Sequence, residues 1–160
     1  MKGCRFTGHR PEKLKSTKVS IGDIIKALQY HIEKQIESGT TVFYTGMARG
    51  TDLWTAEIVL QKKKENTAIQ LVSVIPFPKQ ADGWLAEEKK QYQRILEQSD
   101  GVVIICPSYQ KNAYQRRNQY LVDHANSLIA VYNPQYPYSG TAQTIRMAEK
   151  AELRIIWIEL

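Results

Sequence analysis

Three short segments carry glycine, hydroxyl and arginine side chains at spacings that suit the binding of an anion. The segments are Thr7-Gly8-His9-Arg10, Thr45-Gly46-Met47-Ala48-Arg49-Gly50-Thr51-Asp52 and Ser139-Gly140-Thr141. Glycine lets a ligand approach the main chain closely, and arginine can bind phosphate or carboxylate through two hydrogen bonds. Where a segment opens a helix, the first backbone N–H groups have no intrahelical partner and point into the turn. The three segments together predict a site for a phosphorylated ligand.

Most side chains of these segments are candidates for direct contact with that ligand. Pro11 disfavours a helical backbone at Arg10, so we expect an extended Arg10 at the end of the first strand. Asp52 has two interpretations, since its carboxylate can accept from a ribose hydroxyl or cap free N–H groups in a first helical turn. The candidate ligand-binding residues are Thr7, Gly8, His9, Arg10, Thr45, Gly46, Arg49, Gly50, Thr51, Asp52, Ser139, Gly140 and Thr141.

The best-known phosphate and catalytic motifs do not occur in the sequence. There is no G-x-G-x-x-G dinucleotide fingerprint and no Walker G-x-x-x-x-G-K-[ST] loop. The three histidines, at 9, 31 and 124, match no zinc-binding pattern, and no G-x-S-x-G nucleophile elbow is found. We therefore predict no metal site, and no resident cofactor is established.

Six short apolar runs alternate with helical patterns along the chain. The runs lie at 4–7, 41–44, 69–75, 102–106, 127–132 and 154–158, and the helical patterns at 20–37, 51–64, 84–98, 118–125 and 141–151. The polar stretch 108–117 is predicted to be a loop at the rim of the ligand site. This alternation predicts a doubly wound α/β fold, with a mainly parallel sheet of about six strands and helices on both faces. Ligands bind such sheets outside the carboxyl ends of the strands, where we expect the three segments to meet.

Size and composition favour one domain over residues 1–160. Hydrophobic residues make up 42% of the chain, which argues against disorder. No apolar run reaches the ~18 residues that span a bilayer, and the N-terminus lacks the apolar stretch of a signal peptide. Cys4 and Cys106 lie in apolar runs, which is typical of reduced thiols in a cytoplasmic protein. The net charge of +6 fits a phosphorylated ligand or nucleic acid, although many lysines lie where helices expose charge.

Several longer motifs resemble one known family. The opening Phe6-Thr7-Gly8-His9-Arg10-Pro11, the segment 45–52, Arg117-Asn118 to Val122-Asp123, and the run 139–145 are similar to the YpsA-like family. That family belongs to the Rossmann-like SLOG superfamily, which also holds the DNA-processing protein DprA and the phosphoribohydrolases called LOG. The resemblance covers almost the whole chain and implies a Rossmann-like domain that binds a nucleotide-derived ligand similar to NAD or ADP-ribose. It adds Arg117 and Asn118 to the binding candidates and Asp123 to the candidate carboxylates.

One departure from the LOG enzymes concerns catalysis. Those enzymes carry a P-G-G-x-G-T-x-x-E loop, whose glutamate takes part in cleaving an N-glycosidic bond. Here Gly140-Thr141 is kept, but Thr144 stands where the glutamate would be. A threonine cannot act as a carboxylate base or stabilise an oxocarbenium-like charge. Asp52 and Asp123 are the candidate catalytic residues that could replace the glutamate.

Three functions stay open from the sequence. The first is a sensor or regulatory protein that binds a small nucleotide-derived ligand such as NAD, ADP-ribose or a nucleoside phosphate. The second is an N-glycoside hydrolase that acts on a nucleotide through Asp52 or Asp123. The third is DprA-like binding of single-stranded nucleic acid, with Tyr109, Tyr114 and Tyr120 as stacking platforms. The superfamily resemblance also implies that the chain can form a homodimer, and no membrane partner is expected.

Overall fold

The computed structural model describes residues 2–15 and 17–160, in which six strands alternate with helical segments. The strands are β1 (Lys2–Gly8), β2 (Thr40–Thr45), β3 (Gln70–Ile75), β4 (Gly101–Ile104), β5 (Ser127–Val131) and β6 (Arg154–Ile158). The helices are α1 (Pro11–Leu14), α2 (Ile21–Glu37), α3 (Thr51–Glu65), α4 (Ala86–Gln98), α5 (Ala113–His124) and α6 (Gly140–Lys150). The short helix α1 was not predicted; it begins with proline at its first position, where the missing N–H group has no intrahelical role.

All neighbouring strands pair in parallel, in the order β4-β3-β2-β1-β5-β6. The chain builds the sheet outward from β1 to β4 and then crosses to the other side of β1 to add β5 and β6. The strand order therefore reverses between β1 and β5, where Gly8 lies beside Val131. Such a reversal is the point at which open α/β sheets bind ligands. The predicted doubly wound, Rossmann-like fold is confirmed.

The helices form a layer on each face of the sheet. On one face α2 contacts α3 and α3 contacts α4, whereas α5 contacts α6. Leu128 and Ala130 of β5 pack with residues of α6, while Ile129 and Val131 belong to the larger core that includes α2 and α3. Alternate side chains of a strand point to opposite faces. Both faces of β5 are therefore buried, which explains its continuous apolar run.

The predicted loop at 108–117 is wrong in its second half, because α5 begins at Ala113. Ala113, Arg117 and Leu121 are buried and recur every four residues, so they form one face of this helix. The other positions carry tyrosine, glutamine and arginine, which gave the segment the composition of a loop. Glutamine and arginine are nevertheless good helix formers. The longer helix holds Tyr114 and Arg117 at defined positions beside the sheet.

Candidate functional site

A cavity of about 380 Å³ lies at the carboxyl ends of β1 and β5, and all three predicted segments contribute to its wall. These segments are far apart in the sequence, and they meet because β1 lies between β2 and β5 in the parallel sheet. The lining residues from the segments are Thr7, Gly8, His9 and Arg10, then Ala48 and Asp52, then Ser139, Gly140 and Thr141.

The first segment packs tightly against the start of α3. A Cβ atom at Gly8 would lie 2.0 Å from Oγ1 of Thr51, a side chain that is fully buried. Glycine is therefore required at this position by close approach. Arg10 follows with an extended backbone, φ −65° and ψ 157°, as expected from Pro11. Its side chain is exposed and lines the cavity.

The second segment is tied together by its own side chains. Oγ1 of Thr45 accepts the N–H of Met47 at 3.1 Å and donates to the carbonyl oxygen of Asp52 at 3.2 Å. The Asp52 carboxylate accepts the N–H of Ala48 at 3.2 Å. Gly50 has a φ of 85°, and a Cβ atom there would lie 2.9 Å from a carbonyl oxygen of the first segment. Asp52 thus caps the loop that precedes α3, whereas one of its two predicted roles was to cap the first turn of the helix, and it also lines the cavity.

Two buried arginines face the cavity beside this carboxylate. Arg5 and Arg117 are 1% and 6% exposed, and both line the cavity with Asp52. Nη1 of Arg117 donates to the carbonyl oxygen of Gly46, and its Nε donates to Oδ1 of Asn118 at 3.1 Å. Nη1 of Arg5 donates to the carbonyl oxygen of Asn118 at 3.1 Å. Nε of Arg5 is buried and has no hydrogen-bond partner in residues 2–15 and 17–160.

Burial and neighbouring charge shift the pKa values of Asp52, Arg5 and Arg117 in opposite directions. Desolvation raises the pKa of Asp52, and the two arginines oppose the rise. Desolvation also lowers the pKa of Arg117, and lowers that of Arg5 to about 9, while the charge of Asp52 opposes both changes. Arg5 therefore stays protonated at neutral pH. With two guanidinium groups against one carboxylate, the cluster carries positive charge that an anionic ligand would balance.

His9 forms another part of the wall. It is almost completely buried, and its ring lies 5.6 Å from that of Tyr132 and 5.4 Å from that of Tyr136. Desolvation lowers the pKa of His9, so the imidazole is neutral at pH 7. Its Nε2 has no hydrogen-bond partner among the described residues. Because His9 lines the cavity, this nitrogen is a candidate contact for a polar ligand atom.

The third segment places the N-terminus of α6 at the cavity. Oγ of Ser139 accepts the N–H of Ala142 at 3.1 Å, which identifies Ser139 as the N-cap. The N–H groups of Gly140 and Thr141 come first in the helix and have no intrahelical acceptor. A Cβ atom at Gly140 would meet no atom within 4 Å, so the side-chain position of this residue is open. Thr144 lines the same cavity and is buried.

Two predicted functional residues lie elsewhere. Arg49 does not line the cavity, since its Nε donates to Glu88 and its Nη2 to Glu12, both at 2.6 Å. Arg49 therefore links the second segment to α1 and α4, and its role in binding the ligand stays a prediction. Asp123 is exposed on α5 and accepts from Gln119 at 2.8 Å, beside a separate shallow depression next to β4. It is not brought together with Asp52.

Four further predicted residues support the cavity without lining it, namely Thr45, Gly46, Gly50 and Thr51. Arg5 and the cavity position of Tyr114 were missed as site residues. The signal for Arg5 was present, because a charged side chain interrupts the apolar run Cys4-Arg5-Phe6 and must find partners when buried. Asn118 lines the cavity as predicted from the resemblance.

The three tyrosines that suggested nucleic-acid binding are divided between two places. Tyr109 and Tyr114 both contact the ring of Phe77 edge-on, at 5.4 and 5.7 Å. Tyr120 instead stacks on His124 at 3.9 Å and borders the depression next to β4. Only Tyr114 of the three lines the cavity. The arrangement separates Tyr120 from the other two rings.

Other chemistry-bearing groups were also located. Cys4 and Cys106 are buried free thiols, and burial raises the pKa of Cys4 to about 12. Within residues 2–15 and 17–160, no group of three His, Cys, Asp or Glu side chains is arranged to hold a metal ion. In the same part of the chain, no helix is both long and apolar enough to cross a membrane.

Comparison with known proteins connects this chain to one family. The model of the YpsA family, described as the YspA SLOG family, matches residues 4–160. A UPF0398 protein of Halalkalibacterium halodurans is 30% identical over 98% of this chain and 88% of its own length. A UPF0398 protein of Bacillus cereus (strain AH820) is 29% identical over 87% of this chain and 78% of its own length. A UPF0398 protein of Bacillus pumilus is 28% identical over 85% of this chain and 76% of its own length.

Proposed function

Because this chain belongs to the YspA SLOG family, we propose that it binds a nucleotide-derived ligand in the cavity between β1 and β5. The ligand class is that of NAD, ADP-ribose and nucleoside phosphates. The protein acts as a sensor or regulatory protein in the cytoplasm, where its free buried thiols stay reduced.

The observation that carries this proposal is the charge of the cavity wall. Four cationic side chains and one carboxylate line it: Arg5, Arg10, Lys13 and Arg117 against Asp52. Arg5 is 1% exposed, and its Nε lacks a hydrogen-bond partner in the part of the chain that the structure describes. An unsatisfied buried N–H group is costly unless a ligand or water supplies an acceptor. A phosphorylated ligand supplies several acceptors together with negative charge.

Each part of the wall suits a different part of such a ligand. The amides of Gly140 and Thr141 at the N-terminus of α6 bind a phosphate group, assisted by the helix dipole. Arg10, which is exposed at the rim, supplies a second set of donors. Asp52 lies deeper and can accept hydrogen bonds from ribose hydroxyls while it balances Arg117.

Isothermal titration with NAD, ADP-ribose and AMP tests the proposal. We expect saturable binding of at least one of them, weakened roughly tenfold to a hundredfold by Arg10→Gln, since one charge-assisted hydrogen bond is worth roughly 1.5–3 kcal/mol. Arg154→Gln is the matched control, because Arg154 is also exposed but begins β6 at the opposite end of the strands. The proposal fails if none of the three ligands binds, or if the two variants weaken binding equally.

A second candidate function is N-glycoside hydrolysis, favoured by one observation on Asp52. This carboxyl group lines the cavity, and desolvation raises its pKa, as in residues that transfer protons. Release of adenine from AMP, or of nicotinamide from NAD, measured by chromatography would reveal such activity. Asp52→Asn should then abolish it, whereas Asp123→Asn should leave it unchanged because Asp123 lies outside the cavity. Absence of base release by the wild-type protein rejects hydrolysis and leaves the binding proposal intact.

A further inference from the structure

One large aromatic side chain of the cavity wall is exposed to solvent. Tyr114, the second residue of α5, lines the cavity and is 38% exposed. The other large apolar groups of the wall, Phe6 and Leu121, are almost completely buried. Tyr114 is therefore the large aromatic surface that the described part of the wall offers to a ligand.

The ring of Tyr114 is held in one orientation by its neighbours. The ring of Phe77 meets it edge-on, with 5.7 Å between centroids and 83° between planes. Cζ of the buried Arg117 lies 5.7 Å from the centre of the same ring. The preceding residue, Ala113, is fully buried and anchors the first turn of α5. A ring fixed in this way loses little conformational entropy when a flat group stacks on it.

The cavity wall offers two kinds of binding group, which suit different parts of a ligand. Gly140 and Thr141 offer main-chain amides, and Arg10 offers charge, whereas the exposed tyrosine ring offers only a π face and a hydroxyl group. A sugar phosphate would satisfy the amides and leave the ring in water. A ligand with a heterocyclic base would cover both.

We propose that Tyr114 is the stacking platform for the base of the ligand, so that the cavity selects base-bearing nucleotides over sugar phosphates. This inference rests on the proposed function of the same cavity. It assigns the base to the α5 side and the phosphate to the N-terminus of α6. Stacking on an aromatic side chain tolerates different bases, because every base has a π face. Tyr114 therefore favours the presence of a base and does not choose between adenine and other bases.

Tyr109 provides a matched control. Its ring also meets Phe77 edge-on, at 5.4 Å and 82°, and it is 66% exposed, but it does not line the cavity. Removing either tyrosine ring thus takes away a similar contact with Phe77. Only the removal of Tyr114 takes away a surface that the ligand can reach.

The test compares AMP with ribose 5-phosphate by isothermal titration. These ligands share the ribose and phosphate and differ in the base. Tyr114→Ala should weaken the binding of AMP roughly tenfold to a hundredfold, the range for loss of one stacked base, and should change the binding of ribose 5-phosphate less than twofold. Tyr114→Phe, which keeps the ring, and Tyr109→Ala should both bind AMP within about threefold of wild type. Circular dichroism and melting temperature confirm that each variant is folded.

The outcomes separate this inference from the function on which it rests. If wild type binds AMP but Tyr114→Ala weakens both ligands equally, or neither, Tyr114 is not the base platform and the binding proposal stands. An equal loss in Tyr109→Ala also overturns the assignment, since it would reflect the shared contact with Phe77. If wild type binds neither AMP nor ADP-ribose nor NAD, the proposed function fails first and the stacking role fails with it.

Discussion

Gly8 and Gly140 line the same cavity, yet the structure needs glycine at only one of them. At Gly8 an added Cβ atom would lie 2.0 Å from Oγ1 and 2.5 Å from Cβ of Thr51. Thr51 is fully buried, so neither its rotation nor a small movement removes the clash. At Gly140 the corresponding position is open. The two glycines are thus alike in the sequence and different in packing.

This difference gives a prediction at the scale of single residues. Gly8→Ala should lower the free energy of unfolding by about 1–3 kcal/mol, the usual effect of overpacking a close contact. Gly140→Ala should leave it unchanged or raise it slightly, because alanine is favoured over glycine in a helix. Urea unfolding followed by circular dichroism measures both. Equal destabilisation by the two substitutions would mean that the packing around Gly8 is not as described.

Arg49 and Arg5 show how poorly residue type alone reveals a role. Arg49 follows a glycine turn, as a phosphate-binding residue would, but it forms salt bridges with Glu12 and Glu88. Arg5 lies in an apolar run that predicts a buried strand, yet its guanidinium group lines the cavity. Partners contributed by other elements decide the role of each guanidinium group.

At the scale of elements, the N-terminus of α6 is the part of the fold most directly suited to an anion. Its N-cap, Ser139, has a counterpart in Ser20, the N-cap of α2, whose Oγ accepts the N–H of Asp23 at 3.1 Å. Both caps satisfy one N–H group in the same way and over the same distance. They differ in that Ser139 lines the cavity and in that its Oγ also donates to the carbonyl oxygen of Tyr136 at 2.8 Å.

The two caps therefore form a matched pair of substitutions. Ser20→Ala should lower the free energy of unfolding by about 1 kcal/mol, the usual effect of losing an N-cap, and Ser139→Ala should lower it somewhat more because its hydroxyl also donates to Tyr136. Only Ser139→Ala should also weaken the binding of AMP, by several-fold, because it alone disturbs the amides that hold the phosphate. Thermal unfolding and titration calorimetry measure the two effects. Similar AMP affinities for the two variants would argue against a phosphate at α6.

The length of helix α5 depends on tertiary contacts. Its first turn contains tyrosine, glutamine and arginine between two asparagines, Asn112 and Asn118. That composition is typical of a loop, but Ala113 and Arg117 are buried on one helical face. Arg117 is buried because it donates to the carbonyl oxygen of Gly46, 71 residues away. No local pattern could have indicated that contact.

At the scale of the whole molecule, one core joins the two ends of the chain. The largest hydrophobic cluster contains Cys4 from the first strand and Ile158 from the last. Every strand pairs with its neighbour in a single six-stranded sheet. The positive charge of the chain is distributed over the molecular surface, and part of it is paired: Lys62 forms a salt bridge with Glu33, and Lys63 forms one with Asp100.

A single continuous sheet predicts a single unfolding transition. Far-UV circular dichroism reports the helices and strands, while fluorescence reports three tryptophans: Trp54 and Trp84, which pack against the main core, and Trp157, which lies on the edge strand β6. We expect the two curves to share one midpoint in urea, as for a two-state domain of this size. Trp54→Phe, Trp84→Phe and Trp157→Phe identify the source of each signal. Two separate midpoints would contradict the prediction of one domain over residues 1–160.

The sequence by itself determined the features that depend on neighbours along the chain. Apolar runs, helical spacing and glycine turns identified the six strands, five of the helices and the three segments at the cavity. Alternation of strands and helices then implied a parallel sheet, and parallel strands bring their carboxyl-end loops to one edge. The convergence of segments 7–10, 45–52 and 139–141 was predictable for that reason.

Only the tertiary structure decided which side chains of those segments face the cavity. Arg5, Asp52 and Arg117 come from β1, α3 and α5, and their mutual effects on pKa exist only once the sheet is formed. Arg49 lies outside the cavity because it pairs with the carboxylates of Glu12 and Glu88. Tyr114 lies in the cavity wall because α5 begins at Ala113, earlier than predicted. Burial and charge pairing act through space between distant residues, and a pattern read along the chain does not contain those distances.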